Sequence, residues 1–145
     1  MNNPITDLIK NKNQTDFATQ NGKIAHTKLQ NIVIDGDTMV GDAELIGTIQ
    51  SVPGLSLFFT SIARTEVPVA GFINNTFCSR RIDRMVIDDK TIKILDYKTD
   101  TDSSKFKDKY IKQLHEYKDL IQQIYPKHTI ELYILWLHDW RLELI

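Results

Sequence analysis

Of the 145 residues only one is cysteine, so Cys78 has no partner for an internal disulfide. Cysteines and histidines nowhere show the spacing of a structural zinc site. No apolar run approaches the ~20 residues needed to span a bilayer. The opening Met-Asn-Asn-Pro-Ile-Thr-Asp has neither the basic nor the apolar part of an export signal. These absences lead us to expect a protein of the reducing cytoplasm with no membrane partner. An excess of charge is lacking too: 18 Lys and Arg against 19 Asp and Glu leave a net charge of −1. There is thus no global pull toward nucleic acid, and any polyanion must be met by a local patch. Repeats and low-complexity tracts are absent. So is a Gly-x-x-x-x-Gly-Lys-Ser/Thr phosphate loop, and ATP-driven motion is not expected of this chain.

What is present has the make-up of one globular domain, with 41% hydrophobic and 26% charged residues. Residues 1–15 are polar and Asn-rich and are expected to be loosely held, leaving residues 16–145 as the folded domain. Ala25, Leu29, Ile32 and Val33 recur at helical spacing and predict a helix from Asp16 to Ile34, stopped by Asp35-Gly36-Asp37. A shorter helix is expected over Ala43 to Gln50, ended by Pro53-Gly54, and Leu55 to Ile62 is apolar without a clear period. From Arg64 the pattern turns to β. Glu66–Phe72, Thr76–Ile87 and Thr91–Tyr97 read as a meander with turns at Asn74-Asn75 and Asp88-Asp89-Lys90. A helix from Lys105 to Tyr125 follows, with the apolar stripe Tyr110, Leu114, Tyr117, Ile121 and Ile124, and Pro126 ends it. Thr129–Trp136 and a short piece from Trp140 to Ile145 close the chain. This order implies an α/β or α+β sandwich around a central mixed sheet.

Chemistry enters with the second hairpin. A loop of even length centred on Asp89-Lys90 sets Asp83 directly opposite Asp96, with Cβ atoms about 4.5–5.5 Å apart, where like charges destabilise a sheet unless compensated. A divalent cation is the natural compensation. Lys98 follows Asp96 by two and so points to the same side. Two carboxylates and an ammonium at one spot suit metal-assisted phosphodiester hydrolysis, the carboxylates holding Mg²⁺ and the lysine orienting or deprotonating water. A loop of odd length would turn Asp83 to the other face, and Asp-Asp-Lys is not a favoured two-residue turn. The plainer account makes Arg80-Arg81-Ile82-Asp83-Arg84 a salt-bridged exposed strand face.

Three other positions bear on this spot. Gln113 and Tyr117 lie one turn apart on or beside the apolar stripe, where an amide is costly unless hydrogen-bonded. They either sit over the carboxylates or reach solvent at the edge of the stripe. His26, beside Ala25 and Leu29, is either a structural histidine or the nitrogen ligand of a mixed nitrogen and oxygen site for Mn²⁺ or Mg²⁺. Glu66 opens the first strand of the meander, as a supporting carboxylate or as a solvated strand start.

Together, Gly22-Lys-Ile-Ala-His26, Glu66-Val-Pro-Val, Ile82-Asp83-Arg84, Leu95-Asp96-Tyr97-Lys98-Thr99-Asp100 and Tyr110-x-x-Gln113-Leu-x-x-Tyr117 resemble, in order and spacing, the RecB-type nuclease domain of the PD-(D/E)XK superfamily. The tail, with Ile124-Tyr125-Pro126, Leu135-Trp136 and Arg141-Leu142-Glu143-Leu144, looks like the C-terminal end of the AddA subunit of bacterial AddAB helicase-nucleases. The resemblance covers about residues 20–145 and implies a central mixed sheet flanked by helices. It also implies metal binding by His26, Asp83, Asp96 and the backbone carbonyl of Tyr97, with Lys98 as catalytic lysine and Gln113 and Tyr117 as the Gln-x-x-x-Tyr helix motif. One departure is Arg80, where the family usually has glycine; it could crowd the bound strand or add a phosphate contact.

The expectation is therefore a Mg²⁺-dependent (Mn²⁺ as alternative) deoxyribonuclease linked to DNA repair or recombination, acting on single- or double-stranded DNA. RNA is an alternative substrate and a separate helicase a conceivable partner. Arg80, Arg81, Arg84, Lys105, Lys107, Lys109 and Lys112 are the basic groups expected to meet the phosphate backbone. The competing expectation is an inert nuclease fold that binds DNA or a helicase without cutting.

Overall fold

The longest strand-forming runs pair into the sheet that organises the molecule. The computed structural model describes residues 23–100 and 103–145, so residues 1–15, the start of the first expected helix and Gly22 lie outside the described residues. A helix over residues 23–30 (α1) leads to a small hairpin of β1 (Val33–Asp35) and β2 (Thr38–Val40), then to α2 (Ala43–Ser51) and a 3-10 turn over Ser56–Phe59. Next come β3 (Ala63–Ile73), β4 (Thr76–Ile87), β5 (Thr91–Lys98), α3 (Ser103–Ile124), β6 (Thr129–Trp136) and β7 (Arg141–Leu144). The last five strands form one sheet in the order β3-β4-β5-β6-β7, antiparallel except for β5 and β6, which run parallel because α3 carries the chain across between them. The α+β architecture with a mixed sheet agrees with the pattern of the sequence. Among the described residues, no helix is long and apolar enough to cross a membrane.

The first helix ends earlier than its periodicity predicts. It ends at residue 30, and Val33–Asp35 is a strand paired with Thr38–Val40 around Gly36, whose φ of 63° suits a tight turn. The β-branched run Ile32-Val33-Ile34 favours extended backbone, and this preference wins over the helical spacing of the apolar positions. Asp42 caps α2, its Oδ1 accepting the Leu45 N–H at 2.8 Å. The apolar piece after Pro53-Gly54 becomes the 3-10 turn that buries Phe58 and Phe59.

Each face of the sheet carries its own core. On one, α3 lays Leu114, Tyr117, Leu120 and Ile121 over Ile82, Ile92, Ile94, Ile134 and Trp136. On the other, Leu29, Ile49, Leu55, Phe58 and Phe59 pack on Val86, Leu95, Tyr97 and Leu135. Each such buried side chain stabilises the fold by about 1.5–3 kcal/mol relative to exposure. The turn between β4 and β5 forms without Gly or Asn because the Asp88 carboxylate accepts from the N–H groups of Lys90 (2.9 Å) and Thr91 (2.7 Å). It gives the even-loop register, with Arg84 opposite Leu95 and Ile87 opposite Ile92.

Candidate active site

Above Arg84 and Leu95 the two central strands part. β5 stays beside β6 as far as Lys98 opposite Trp136, whereas β4 continues only with β3 to the turn at Asn74-Asn75. At this fork the alternation of β3 and β4 changes phase: Ala63 and Val86 pack in the α1–α2 layer, but Val67 and Ile82 pack under α3. The pair between them, Glu66 and Asp83, drops out of the ladder. Glu66 adopts a φ of 50°, a left-handed conformation costing a non-glycine residue about 1–3 kcal/mol.

The released side chains converge. Asp83 Oδ2 accepts the Tyr97 N–H at 2.8 Å, replacing the strand-to-strand bond that the fork removes. His26 Nε2, from α1, lies 3.2 Å from both Asp83 Oδ1 and Glu66 Oε1, and these three atoms fall within 4.8 Å of one another. The His26 ring meets Tyr97 edge-on at 5.3 Å. Gln30, one turn after His26, donates to Glu66 Oε1, and Arg81 Nη1 stands 3.7 Å from Glu66 Oε2.

Asp96 extends the cluster on the α3 side. Asp83 and Asp96 follow the last paired row, Arg84–Leu95, and stand close enough for each to shift the other's titration, although the ladder does not pair them directly as the sequence argument expects. Asp96 is 4% exposed. Lys98 Nζ lies 2.7 Å from Asp96 Oδ2 but outside hydrogen-bonding angles, so that buried oxygen makes no hydrogen bond. The ammonium instead donates to Gln113 Oε1 at 3.0 Å and sits 4.3 Å from the centre of the Tyr110 ring. Gln113 Nε2 in turn donates to the Tyr117 hydroxyl at 2.9 Å, and the Tyr110 hydroxyl donates to Asp100. Gln113, half-buried, therefore spends both ends of its amide inside the protein and fixes the lysine.

The electrostatics follow from the crowding of acids. Hydrogen bonding to Asp83 is the main reason the His26 imidazole is raised to about 9, against the opposing effect of partial burial. Burial pushes Asp96 up to about 7; the Lys98 charge opposes this and the Asp83 charge adds to it. Burial would also raise Asp83, but the bonds from His26 and the Tyr97 N–H outweigh it and leave this carboxyl below its usual value. Protons on His26 and Asp96 thus supply the positive charge that the cluster needs. A divalent cation would supply the same charge. The donor set of His26, Glu66 and Asp83, one imidazole nitrogen with carboxylate oxygens, is hard and mainly oxygen and suits Mg²⁺ or Mn²⁺; the Asp96 carboxyl lies outside this set, with its Oδ2 2.7 Å from Lys98 Nζ.

The expected basic residues divide. Arg80, Lys109 and Lys112 line, with Lys98, Tyr110 and Gln113, a cleft of about 600 Å³ beside the cluster. Arg80 is held at its edge by Glu116, with Nη2–Oε2 at 2.9 Å. Arg81 is 69% exposed on the opposite face of the ribbon. Lys107 bonds Glu143 and so ties α3 to β7, and Lys105 is exposed over the Phe106 ring; neither lines the cleft. Arg84 must be removed from the nucleic-acid contacts. It is 1% exposed, donates to the Tyr97 hydroxyl and the carbonyls of Phe58 and Leu29, and covers the Phe59 ring at 3.7 Å. It pins α1, the 3-10 turn and β5 together behind the cluster.

Sequence reasoning gave Glu66 only a supporting part and assigned no role to Gln30 or to the Tyr110 ring. Gln30 lies four residues after His26, a helical spacing that could have flagged it. The change of phase that frees Glu66 leaves no sequence signal. No family model matches the sequence, and no curated protein is significantly similar to it.

Proposed function

We propose that this chain is a metal-dependent deoxyribonuclease with a PD-(D/E)XK core of RecB type, acting in the cytoplasm in DNA repair or recombination, with a separate helicase as a partner. The observation that carries this reading is the juxtaposition of Asp96 and Lys98. A buried carboxylate oxygen without a hydrogen bond stands 2.7 Å from an ammonium that Gln113 and Tyr110 hold in place, beside a second buried carboxylate and an imidazole.

His26, Glu66, Asp83 and Asp96 would hold Mg²⁺ or Mn²⁺. When bound, the cation supplies Lewis acidity toward the phosphate and its attacking water. The protein's own residues do the positioning. Lys98 Nζ, pinned from three sides, orients a water for in-line attack on phosphorus. As the new P–O bond forms, the attacking water, held by Lys98, gives up its proton to solvent. The bond to the departing sugar oxygen breaks, and that oxygen takes a proton from solvent. Gln113 and Tyr117 keep the lysine from swinging away, and Arg80, Lys109 and Lys112 offer charge to flanking phosphates. None of these groups is arranged to read base edges, so cleavage has little sequence preference.

The test is cleavage of end-labelled single- and double-stranded DNA in Mg²⁺, Mn²⁺ or EDTA, comparing wild type with Asp96→Ala and Lys98→Ala. Metal-dependent cutting lost in both variants is the expected result. Cutting that persists in Asp96→Ala would refute the assignment, and folded wild type that binds DNA without cutting it would make the chain an inert binding module.

A further inference from the structure

Beyond the fork, β3 and β4 continue as a two-stranded ribbon whose two faces differ in kind. The inner face, with Val67, Val69, Cys78 and Ile82, packs under α3, so closely that a Cβ on Gly71 would lie 3.1 Å from Leu120 Cδ2. The outer face carries the alternate residues in the paired rows Pro68–Arg81, Ala70–Ser79 and Phe72–Phe77. The last row ends at the turn formed by Asn74 and Asn75, whose φ values of 49° and 63° are those of a tight hairpin. Phe72 and Phe77 are each 63% exposed, with ring centres 5.7 Å apart and planes at 68°. Arg81, also exposed, starts the strip beside Glu66, about 13 Å from Phe77 along β4. Between them, among the described residues of the two strands, only Ala70 and Ser79 project, leaving a shallow runway from the carboxylate cluster to the aromatic pair.

We infer that the outer face of the β3–β4 ribbon is a stacking platform for single-stranded nucleic acid, with unpaired bases on Phe72 and Phe77 and a phosphate at Arg81. This rests on the nuclease reading for its biological sense and deepens it by naming the substrate class. Three features favour this occupant. Exposed rings on a flat strip of small residues that leads to a cation, here Arg81 at the far end beside Glu66, are elements that sequence-tolerant single-strand binding uses. In a duplex the base faces are already stacked on one another, so the rings would select unpaired strands. Two partly exposed phenylalanines also offer far less than the ~800 Å² per partner of a stable protein interface.

The test is anisotropy of labelled oligo-dT of about 20 nucleotides and of a matching blunt duplex, in Ca²⁺, with wild type, Phe72→Ala/Phe77→Ala and Arg81→Gln. The double variant should bind oligo-dT about tenfold or more weakly, with duplex affinity changed less than about twofold and the salt slope unaltered. Arg81→Gln should lower the salt slope by about one contact. In Phe77→Trp, which keeps a stacking ring, oligo-dT should quench the added indole. Unchanged oligo-dT affinity in the double variant, or no quenching, would overturn the platform. A change in sedimentation of the double variant with unchanged DNA binding would do so as well, and would make the rings a self-association surface. Loss of single-strand affinity in a protein that cuts nothing would keep the platform and sink the nuclease reading; cutting with unaltered affinity would do the reverse.

Discussion

The two halves of the β4–β5 pair differ in what their polar groups are for. In the lower half, Arg84–Ile87 with Ile92–Leu95, the ladder is closed, and the one buried charge, Arg84, is satisfied by two carbonyls, a hydroxyl and a ring. In the upper half, above the fork, Glu66 has left the ladder at a positive φ, Asp83 spends one oxygen on a backbone N–H, and Asp96 keeps an oxygen with no hydrogen bond. A buried charge by itself therefore does not mark a functional site. What distinguishes the fork is that three acids crowd on one imidazole and one ammonium, a charge set that a cation would complete, whereas Arg84 is satisfied by neutral acceptors and a ring.

Breaking each half should give opposite signatures. Asp96→Asn keeps the shape and removes the charge, so DNA cleavage should fall by about a thousandfold or more. The metal-free protein should meanwhile gain about 1 kcal/mol at pH 8, measured by urea unfolding, since a carboxylate with a raised pKa is destabilising once ionised. In the lower half, Arg84→Ala should cost about 3 kcal/mol or more by leaving buried carbonyls unpaired, and Ile94→Ala about 2–5 kcal/mol by opening a cavity. For Ile94→Ala, cleavage per folded molecule should be unchanged.

The pH dependence sharpens the contrast. His26 and Asp96 both have folded values above their ordinary 6.5 and 3.8, so each contributes stability that is full below the ordinary value. That contribution is lost as pH rises through about 7 for Asp96 and about 9 for His26. Thermal unfolding of metal-free protein should therefore weaken from about pH 6 to 9, and saturating Mg²⁺ should flatten the slope by taking the place of the protons. A metal-free profile that rises over this range would contradict the arrangement of charges. The smallest effect is expected at the rim. Arg80→Ala breaks a partly exposed pair with Glu116 and should change stability by less than about 1 kcal/mol. Its effect on DNA affinity tests whether that guanidinium contacts phosphate.

Much of the fold was legible because it rests on periodicity and turns. The bounds of β4 and β6, the Asn74-Asn75 turn and most of the stripe of α3 follow from local pattern, but Ile124, expected in the stripe, is exposed at the helix end and Leu120 is buried instead. The register of the paired rows, Arg84–Leu95 to Ile87–Ile92, followed from loop parity alone, but neither the parting of the strands before Asp83 and Asp96 nor the Asp88 carboxylate that builds the turn was foreseen. The end of α1 was misread because Ile32 and Val33 fit a helical face and a strand equally well. In the site, Asp96 stood out as a like charge set against Asp83, Lys98 by strand alternation from Asp96, and Gln113 as a costly amide on an apolar stripe. Arg84 was misplaced because an arginine among arginines on a strand gives no sign of which face it takes once the alternation changes phase. Glu66 owes its place to that same change, a tertiary event that no local pattern encodes.

The most direct measurement of the central claim is Mn²⁺ binding followed by electron paramagnetic resonance and calorimetry, on wild type and on Asp83→Ala. The account predicts saturable binding at the cluster, with protons released at pH 7, and its loss in the variant while the fold, followed by circular dichroism, persists. Absence of saturable Mn²⁺ binding by folded wild type, or equal binding by Asp83→Ala, would contradict it.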